Sequence, residues 1–149
     1  MVFVSYRRED SQLAQLIANG LRARSIESWI DVESGPGGLW EQQIERAIDR
    51  CTNVVLLLSQ DTYSSEIVGR EVRRGLGLGK NFVPVTAHNF AWEIADSRPD
   101  WLGEVRRFNG VPVSFDYPEA FLEKLAKHCI GEQAAKVGWW RRVVGSTAA

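Results

Sequence analysis

The run NVVLLL at residues 53–58 carries the clearest structural signal in the chain, because its last five residues are all aliphatic. A strand that is apolar on both faces is typical of the centre of a parallel sheet, where helices cover each side. The same aliphatic run is the longest in the sequence and is far too short to span a bilayer. We therefore expect a buried central strand in a cytoplasmic α/β protein.

Shorter β-rich segments and amphipathic patterns alternate on both sides of this run. Further strands are predicted at residues 2–6, 28–30, 82–85 and 111–113. Helices are predicted around residues 13–21, 40–48, 63–78 and 121–129. This alternation favours a flavodoxin-like open parallel sheet of five strands with helices on both faces. Asp10 or Ser11 is the expected cap of the first helix, and Pro84 suggests either a strand end or a location of the fourth strand nearer the sheet edge.

Length and composition favour one globular domain with no strong charge bias. The chain has 149 residues, with 18 basic and 19 acidic side chains and a formal net charge of −1. A general nucleic-acid coat needs a strong basic excess, so we expect no nucleic acid to bind this domain. Cys51 and Cys129 lie far apart and have no metal-ligand spacing, which predicts two reduced thiols. His88 and His128 have no Cys or carboxylate neighbours at ligand spacing, which predicts no zinc site.

Side chains suited to a dinucleotide gather at the predicted carboxyl ends of the strands, where open parallel sheets bind ligands. Arg7 and Arg8 follow the first strand, and paired guanidinium groups suit a diphosphate. Trp29, Trp40 and Trp92 offer flat rings for stacking. Each group also has a plainer interpretation, with the arginines in a solvated turn and each tryptophan in ordinary packing.

Glu71 is the candidate carboxylate, because it lies on the third predicted helix beside the helix's core face. Its sequence neighbours Arg70, Arg73 and Arg74 are basic, so we expect this carboxyl group to be ionised at neutral pH. An ionised carboxylate can bind ribose hydroxyls and stabilise a cation that develops on the sugar carbon. The plainer interpretation is a surface glutamate in a helical salt-bridge ladder, with Ser65 acting only as a helix cap.

Two further patterns resemble known functional motifs but fit them poorly. The glycine-rich segment 75–80 resembles a phosphate loop, but it follows a helix and precedes a strand, so a helix stop is favoured. A phospho-receiver needs clustered carboxylates to hold Mg²⁺. Asp61 would be its acceptor here, and only Glu9 and Asp10 are available as helpers.

Four segments together resemble the conserved boxes of Toll/interleukin-1 receptor (TIR) domains. They are FVSYRRED at 3–10, WIDVE at 29–33, SEIVGRE at 65–71 and FNGV at 108–111. The resemblance covers residues 2–130, which predicts a TIR domain over residues 1–130 and a tail or linker to an absent domain over 131–149. The sequence is similar to the NAD-cleaving branch of the family, in which an animal protein carries the TIR domain together with sterile-alpha and Armadillo motifs. The arginine-rich, lysine-poor composition favours a bacterial origin.

The resemblance implies an NAD⁺ glycohydrolase that releases nicotinamide and ADP-ribose, or a cyclic isomer, with no cofactor besides its substrate. Glu71 matches the catalytic glutamate of that branch. The positions that match its substrate-binding residues are Tyr6, Arg7, Arg8, Trp29, Asp31, Ser65 and Trp92. One position departs from the family pattern, since the tryptophan that often stands four residues before the glutamate is Ile67 here.

The resemblance also implies activation by self-association. A homo-oligomer or filament would form through the BB loop, residues 31–39, under the control of a fused sensor domain in bacterial antiphage defence. We expect no bound metal and no membrane contact for this domain. The alternative that the resemblance leaves open is a non-enzymatic TIR module that signals or acts as a scaffold through TIR–TIR assembly.

Overall fold

The computed structural model describes residues 1–30, 38–92 and 100–136. Within these ranges the strands are β1 (Val2–Ser5), β2 (Ser28–Trp29), β3 (Asn53–Leu58), β4 (Asn81–Thr86) and β5 (Val111–Pro112). They form one sheet in the order β2-β1-β3-β4-β5, and every pair is parallel. This is the flavodoxin-like arrangement that the sequence predicts.

Five helices cover the sheet in the described part of the chain. They are α1 (Ser11–Ala23), α2 (Gly38–Arg50), α3 (Glu66–Gly77), α4 (Asp100–Val105) and α5 (Pro118–Lys136). One core cluster joins α1 and α5 to one face of the sheet, and a second joins α2, α3 and α4 to the other. None of the described helices is long and apolar enough to cross a membrane. The predicted domain end at residue 130 falls inside α5, and residues 137–149 lie outside the described residues.

β3 is the centre of the sheet, as the aliphatic run predicts. All six of its residues are buried, and it pairs with β1 on one side and β4 on the other. Its side chains alternate between the two core clusters: Val55 and Leu57 belong to one, and Leu56 and Leu58 to the other. The lack of a polar face in the sequence therefore reflects helices on both sides of this strand.

Pro84 lies inside β4, one strand away from the edge. The N–H of Ala87 donates to Leu58 of β3, so the backbone nitrogen of Pro84 faces the opposite neighbour, β5. The first β4–β5 pair is Val85 with Val111, one position beyond the proline. The missing donor therefore costs the sheet no hydrogen bond. The predicted location nearer the edge is confirmed, and the alternative of a strand end is wrong.

The structure also resolves two local predictions about helix ends. Asp10 occupies the N-cap position of α1 but makes no cap hydrogen bond; its carboxylate instead accepts from the Ser59 hydroxyl at 2.6 Å. The glycine-rich segment ends α3 at Gly77, and Gly79 has a φ of +69°, a conformation that favours glycine. Its interpretation as a helix stop is confirmed.

Candidate functional site

A cleft of about 690 Å³ opens where the chain leaves β1 and meets the first turns of α3. Five of the predicted site residues line it: Tyr6, Arg7, Arg8, Ser65 and Glu71. The volume lies within the range of pockets that hold small molecules and cofactors. The cleft therefore lies at the carboxyl end of β1, where open parallel sheets bind ligands, and the two arginines that follow β1 line it together with the helical carboxylate.

The carboxylate of Glu71 is half-buried on the cleft wall. The hydroxyl of Ser5, the last residue of β1, donates to its Oε2 at 2.6 Å. Val68 and Val72 are completely buried and hold this face of α3 against the sheet. Ser65 caps the helix, because its Oγ accepts from the N–H of Val68 at 3.3 Å. The cap interpretation of Ser65 is confirmed, and the same residue also borders the cleft.

The three arginines that flank Glu71 in sequence reach carboxylates on other elements. Arg70 pairs with Glu41 at 3.5 Å, Arg73 with Asp100 at 3.1 Å, and Arg74 with Asp49 at 2.9 Å. The Arg74 guanidinium, which hydrogen-bonds Asp49, holds the pKa of that carboxyl below its usual value. A salt-bridge network is thus present around α3, and it ties the helix to α2 and α4.

Arg7 is anchored at the rim of the cleft by two carboxylates. Its Nε lies 2.9 Å from Glu9 Oε2 and its Nη1 lies 3.2 Å from Asp61 Oδ2. Arg8 begins the short 3-10 helix Arg8–Asp10 and lines the same cleft. Asp61 therefore fixes an arginine. Among the described residues, no three His, Cys, Asp or Glu side chains are grouped in a way that suits a metal ion.

The predicted aromatic residues divide into two groups. Trp29 stacks on Phe3 with ring centroids 5.1 Å apart, and Trp92 packs edge-on against Phe90 at 5.0 Å. Neither is among the residues that line the cleft, whereas Trp40 is. Ile67, at the position of the family tryptophan, also lines the cleft and is 45% exposed. Asp31 and the loop segment 31–37 lie outside the described residues.

Ser5 is the site residue for which sequence reasoning assigned no role. All four residues of β1 are buried, and Ser5 is the polar one among them. A hydroxyl inside a fully buried strand needs a hydrogen-bond partner, which was the available signal. The identity of that partner depends on where α3 packs, because Ser5 and Glu71 are 66 positions apart.

Residues 2–126 match the family model of the TIR domain. The chain is 35% identical over 139 residues to NAD(+) hydrolase SARM1 of Danio rerio, covering 87% of this chain and 19% of that protein. It is 33% identical over 141 residues to NAD(+) hydrolase sarm1 of Drosophila melanogaster, covering 89% of this chain and 10% of that protein. The chain thus spans a fifth or less of the curated relatives it matches.

Solved structures share the fold of this chain. The fold superposes on the TIR domains of the activated Roq1 resistosome, which directly recognises the pathogen effector XopQ, with a TM-score of 0.65 and 17% identity. That alignment covers 85% of this chain and 96% of the other. At such low identity the likeness supports the fold alone. Because the family model matches most of the sequence and the sheet order agrees with it, this chain belongs to the TIR domain family.

Proposed function

We propose that this chain is the catalytic domain of an NAD⁺ glycohydrolase, with Glu71 as its catalytic residue. The observation that carries the proposal is the cleft itself, in which the Glu71 carboxylate, Arg7, Arg8 and the Trp40 ring border one space. These groups match the ribose, the diphosphate and a flat ring of a dinucleotide. Two relatives that carry the name NAD(+) hydrolase, at 33% and 35% identity, support the same substrate.

The chemistry requires a negative charge beside the sugar. When the bond between the ribose carbon and nicotinamide breaks, its electron pair passes to the pyridinium nitrogen, and nicotinamide leaves as a neutral molecule. The ribose carbon becomes cationic, and Glu71 stabilises it by electrostatic attraction. Water then adds to this carbon and loses a proton, which gives ADP-ribose. Attack by an adenine nitrogen in place of water would give the cyclic isomer.

The remaining cleft residues bind and orient the substrate in this proposal. Arg8 and the anchored Arg7 take the diphosphate, and the hydroxyls of Tyr6 and Ser65 lie where they can meet a ribose. Trp40 supplies an aromatic wall for a base. Trp29 supports Phe3 in the cleft wall. We retain Asp31 as a substrate-binding residue, and Trp92 as one that meets the substrate across a subunit contact.

A single isosteric substitution tests the catalytic assignment. In Glu71→Gln the negative charge disappears and the shape remains, so we expect kcat for nicotinamide release to fall at least about 100-fold. The matched control is Glu66→Gln, the same change at an exposed position on the same helix, which should leave kcat unchanged. Equal turnover by Glu71→Gln and the unsubstituted protein, at equal thermal stability, would refute the role of Glu71.

Self-association through residues 31–39 is the second part of the proposal. Leu39, in the first turn of α2 at the end of this loop, is 76% exposed, and an apolar side chain there suits a protein contact. The resistosome whose TIR domains share this fold is itself an assembly. Depletion of NAD⁺ on assembly would serve antiphage defence, with a fused sensor domain as the trigger.

Assembly predicts that activity per molecule rises with protein concentration. Replacing Gly37 and Gly38 with bulky residues, or Leu39 with Glu, should remove this rise and the larger species in light scattering. Leu78→Glu is the control, since Leu78 is an exposed leucine at the far end of α3. Assembly that survives all of the loop substitutions would exclude the loop as the contact.

A further inference from the structure

We propose that Ser5 is the positioning residue for the catalytic carboxylate, an inference that rests on the proposed function of Glu71. The Ser5 side chain is fully buried, and its hydroxyl donates to Glu71 Oε2 at 2.6 Å. With no exposed surface, this hydroxyl cannot meet a substrate or solvent as a nucleophile. Its contribution to the reaction therefore passes through the carboxylate that it holds.

The two ends of this hydrogen bond are fixed by different parts of the core. Ser5 pairs with Leu56 of β3 in the sheet register, so the backbone that carries the donor cannot move without breaking this pairing. Glu71 lies on α3, which Val68 and Val72 hold against the sheet. A glutamate side chain has three rotatable bonds between its backbone and its carboxylate. A donor on a rigid strand selects one orientation of that carboxylate from the several that the helix alone would permit.

The bond also has the character that such a role requires. A hydroxyl that donates to a carboxylate forms a charge-assisted hydrogen bond, and 2.6 Å is within the short range of this class. Stabilising a transient sugar cation depends on charge placed before the reaction begins. Loss of Ser5 should therefore slow the chemical step and leave the contacts that bind the diphosphate intact.

Three substitutions at position 5 separate the hydrogen bond from packing. Ser5→Ala removes the donor, Ser5→Cys keeps the approximate shape with a weak donor, and Ser5→Thr keeps the hydroxyl. We expect kcat to fall about 10- to 100-fold in the alanine and cysteine variants, with KM within about twofold of its original value. The threonine variant should recover most of kcat. A kcat equal to that of the unsubstituted protein in all three variants would overturn the proposal. An effect confined to KM would overturn it as well.

A stability measurement tests the same bond without using activity. In a double-mutant cycle of Ser5→Ala and Glu71→Ala, followed by urea unfolding, we expect a coupling of about tenfold or more in the folding equilibrium constant. No coupling in an active protein would overturn the role of Ser5 and leave the proposed function standing. Coupling in a protein that cleaves no NAD⁺ would overturn the proposed function and the positioning role together.

Discussion

Gly75 offers a way to move α3, and Glu71 with it, by a substitution outside the cleft. It lies one turn after Glu71 on α3 and faces the sheet. A Cβ added at this position would lie 2.8 Å from Cζ of Phe82 and 3.4 Å from Cγ2 of Val54. Packed carbon atoms sit about 3.5–4.0 Å apart. Because the Phe82 ring is 1% exposed and cannot swing into solvent, Gly75→Ala should push α3 outward by roughly 1 Å.

Two opposing effects set the expected change in stability. Alanine stabilises a helix interior by about 1 kcal/mol relative to glycine. An extra methyl in a tightly packed core costs about 1–3 kcal/mol. The net loss in the free energy of unfolding should therefore be about 0–2 kcal/mol, which leaves the protein folded. A displacement of 1 Å would also strain the Ser5–Glu71 hydrogen bond, and misplacement on this scale costs about 100-fold in rate.

The assay compares urea unfolding and NAD⁺ cleavage in matched variants. Gly77→Ala is the control, because it makes the same change two residues later on the same helix, where the described residues place no atom within 4 Å of the new Cβ. This control should unfold at an equal or higher urea concentration and keep its kcat. A Gly75→Ala variant with unchanged kcat and unchanged stability would refute the claim that α3 packing sets the position of Glu71.

Two further predictions concern a cleft residue and a buried thiol. Ile67 lines the cleft and is partly exposed. Ile67→Trp should therefore lower KM for NAD⁺ about fivefold through ring stacking and leave the free energy of unfolding within about 0.5 kcal/mol of its original value. An unchanged KM in steady-state kinetics would contradict this prediction. Burial raises the pKa of Cys129 from 9.0 to about 12, so the unfolded thiol ionises between these values while the folded thiol does not, and stability should fall as pH rises above 9. Between pH 8 and pH 10.5, the free energy of unfolding in urea should fall about 2 kcal/mol less for Cys129→Ala than for the unsubstituted protein. Identical losses would contradict the raised pKa of this thiol.

The fold was predictable because its signals are local. An aliphatic run and alternating segments identify the elements, and the parallel topology then places the ends of the strands at one edge. The same rule brought Tyr6, Arg7 and Arg8 to the cleft, since all three directly follow β1. Glu71, whose carboxylate borders the same cleft, was predicted from its position beside the core face of its helix and from the family resemblance.

Residue type alone did not indicate which tryptophan lines the cleft. Trp29 pairs in register with Phe3 across β1 and β2, and the two rings stack, so sheet register commits this side chain to packing. Trp40 has the same chemistry but lies near the start of α2 and borders the cleft. The difference arises from a strand pairing between residues 26 positions apart, which no local pattern encodes.

The contacts of the site residues were harder to predict for the same reason. The basic neighbours of Glu71 in sequence gave no indication of their own ion-pair partners, which are carboxylates on α2 and α4. Arg7 pairs with Asp61, which is 54 positions away, and Ser5 reaches Glu71 over 66. Ion pairs and hydrogen bonds over such separations depend on how helices pack, and packing is decided by the volume and shape of the core.

The position of Glu71 is therefore a property of the core as much as of the cleft. Val68, Val72 and Gly75 set the depth of α3 against the sheet, and Ser5 sets the orientation of the carboxylate at that depth. A change in core volume beneath α3 should reach the reaction through this helix, with kcat more sensitive than KM because the arginines that follow β1 stay in place. In this TIR domain, packing mutants with near-normal stability and reduced kcat would separate this view from one in which the cleft residues act independently of the core.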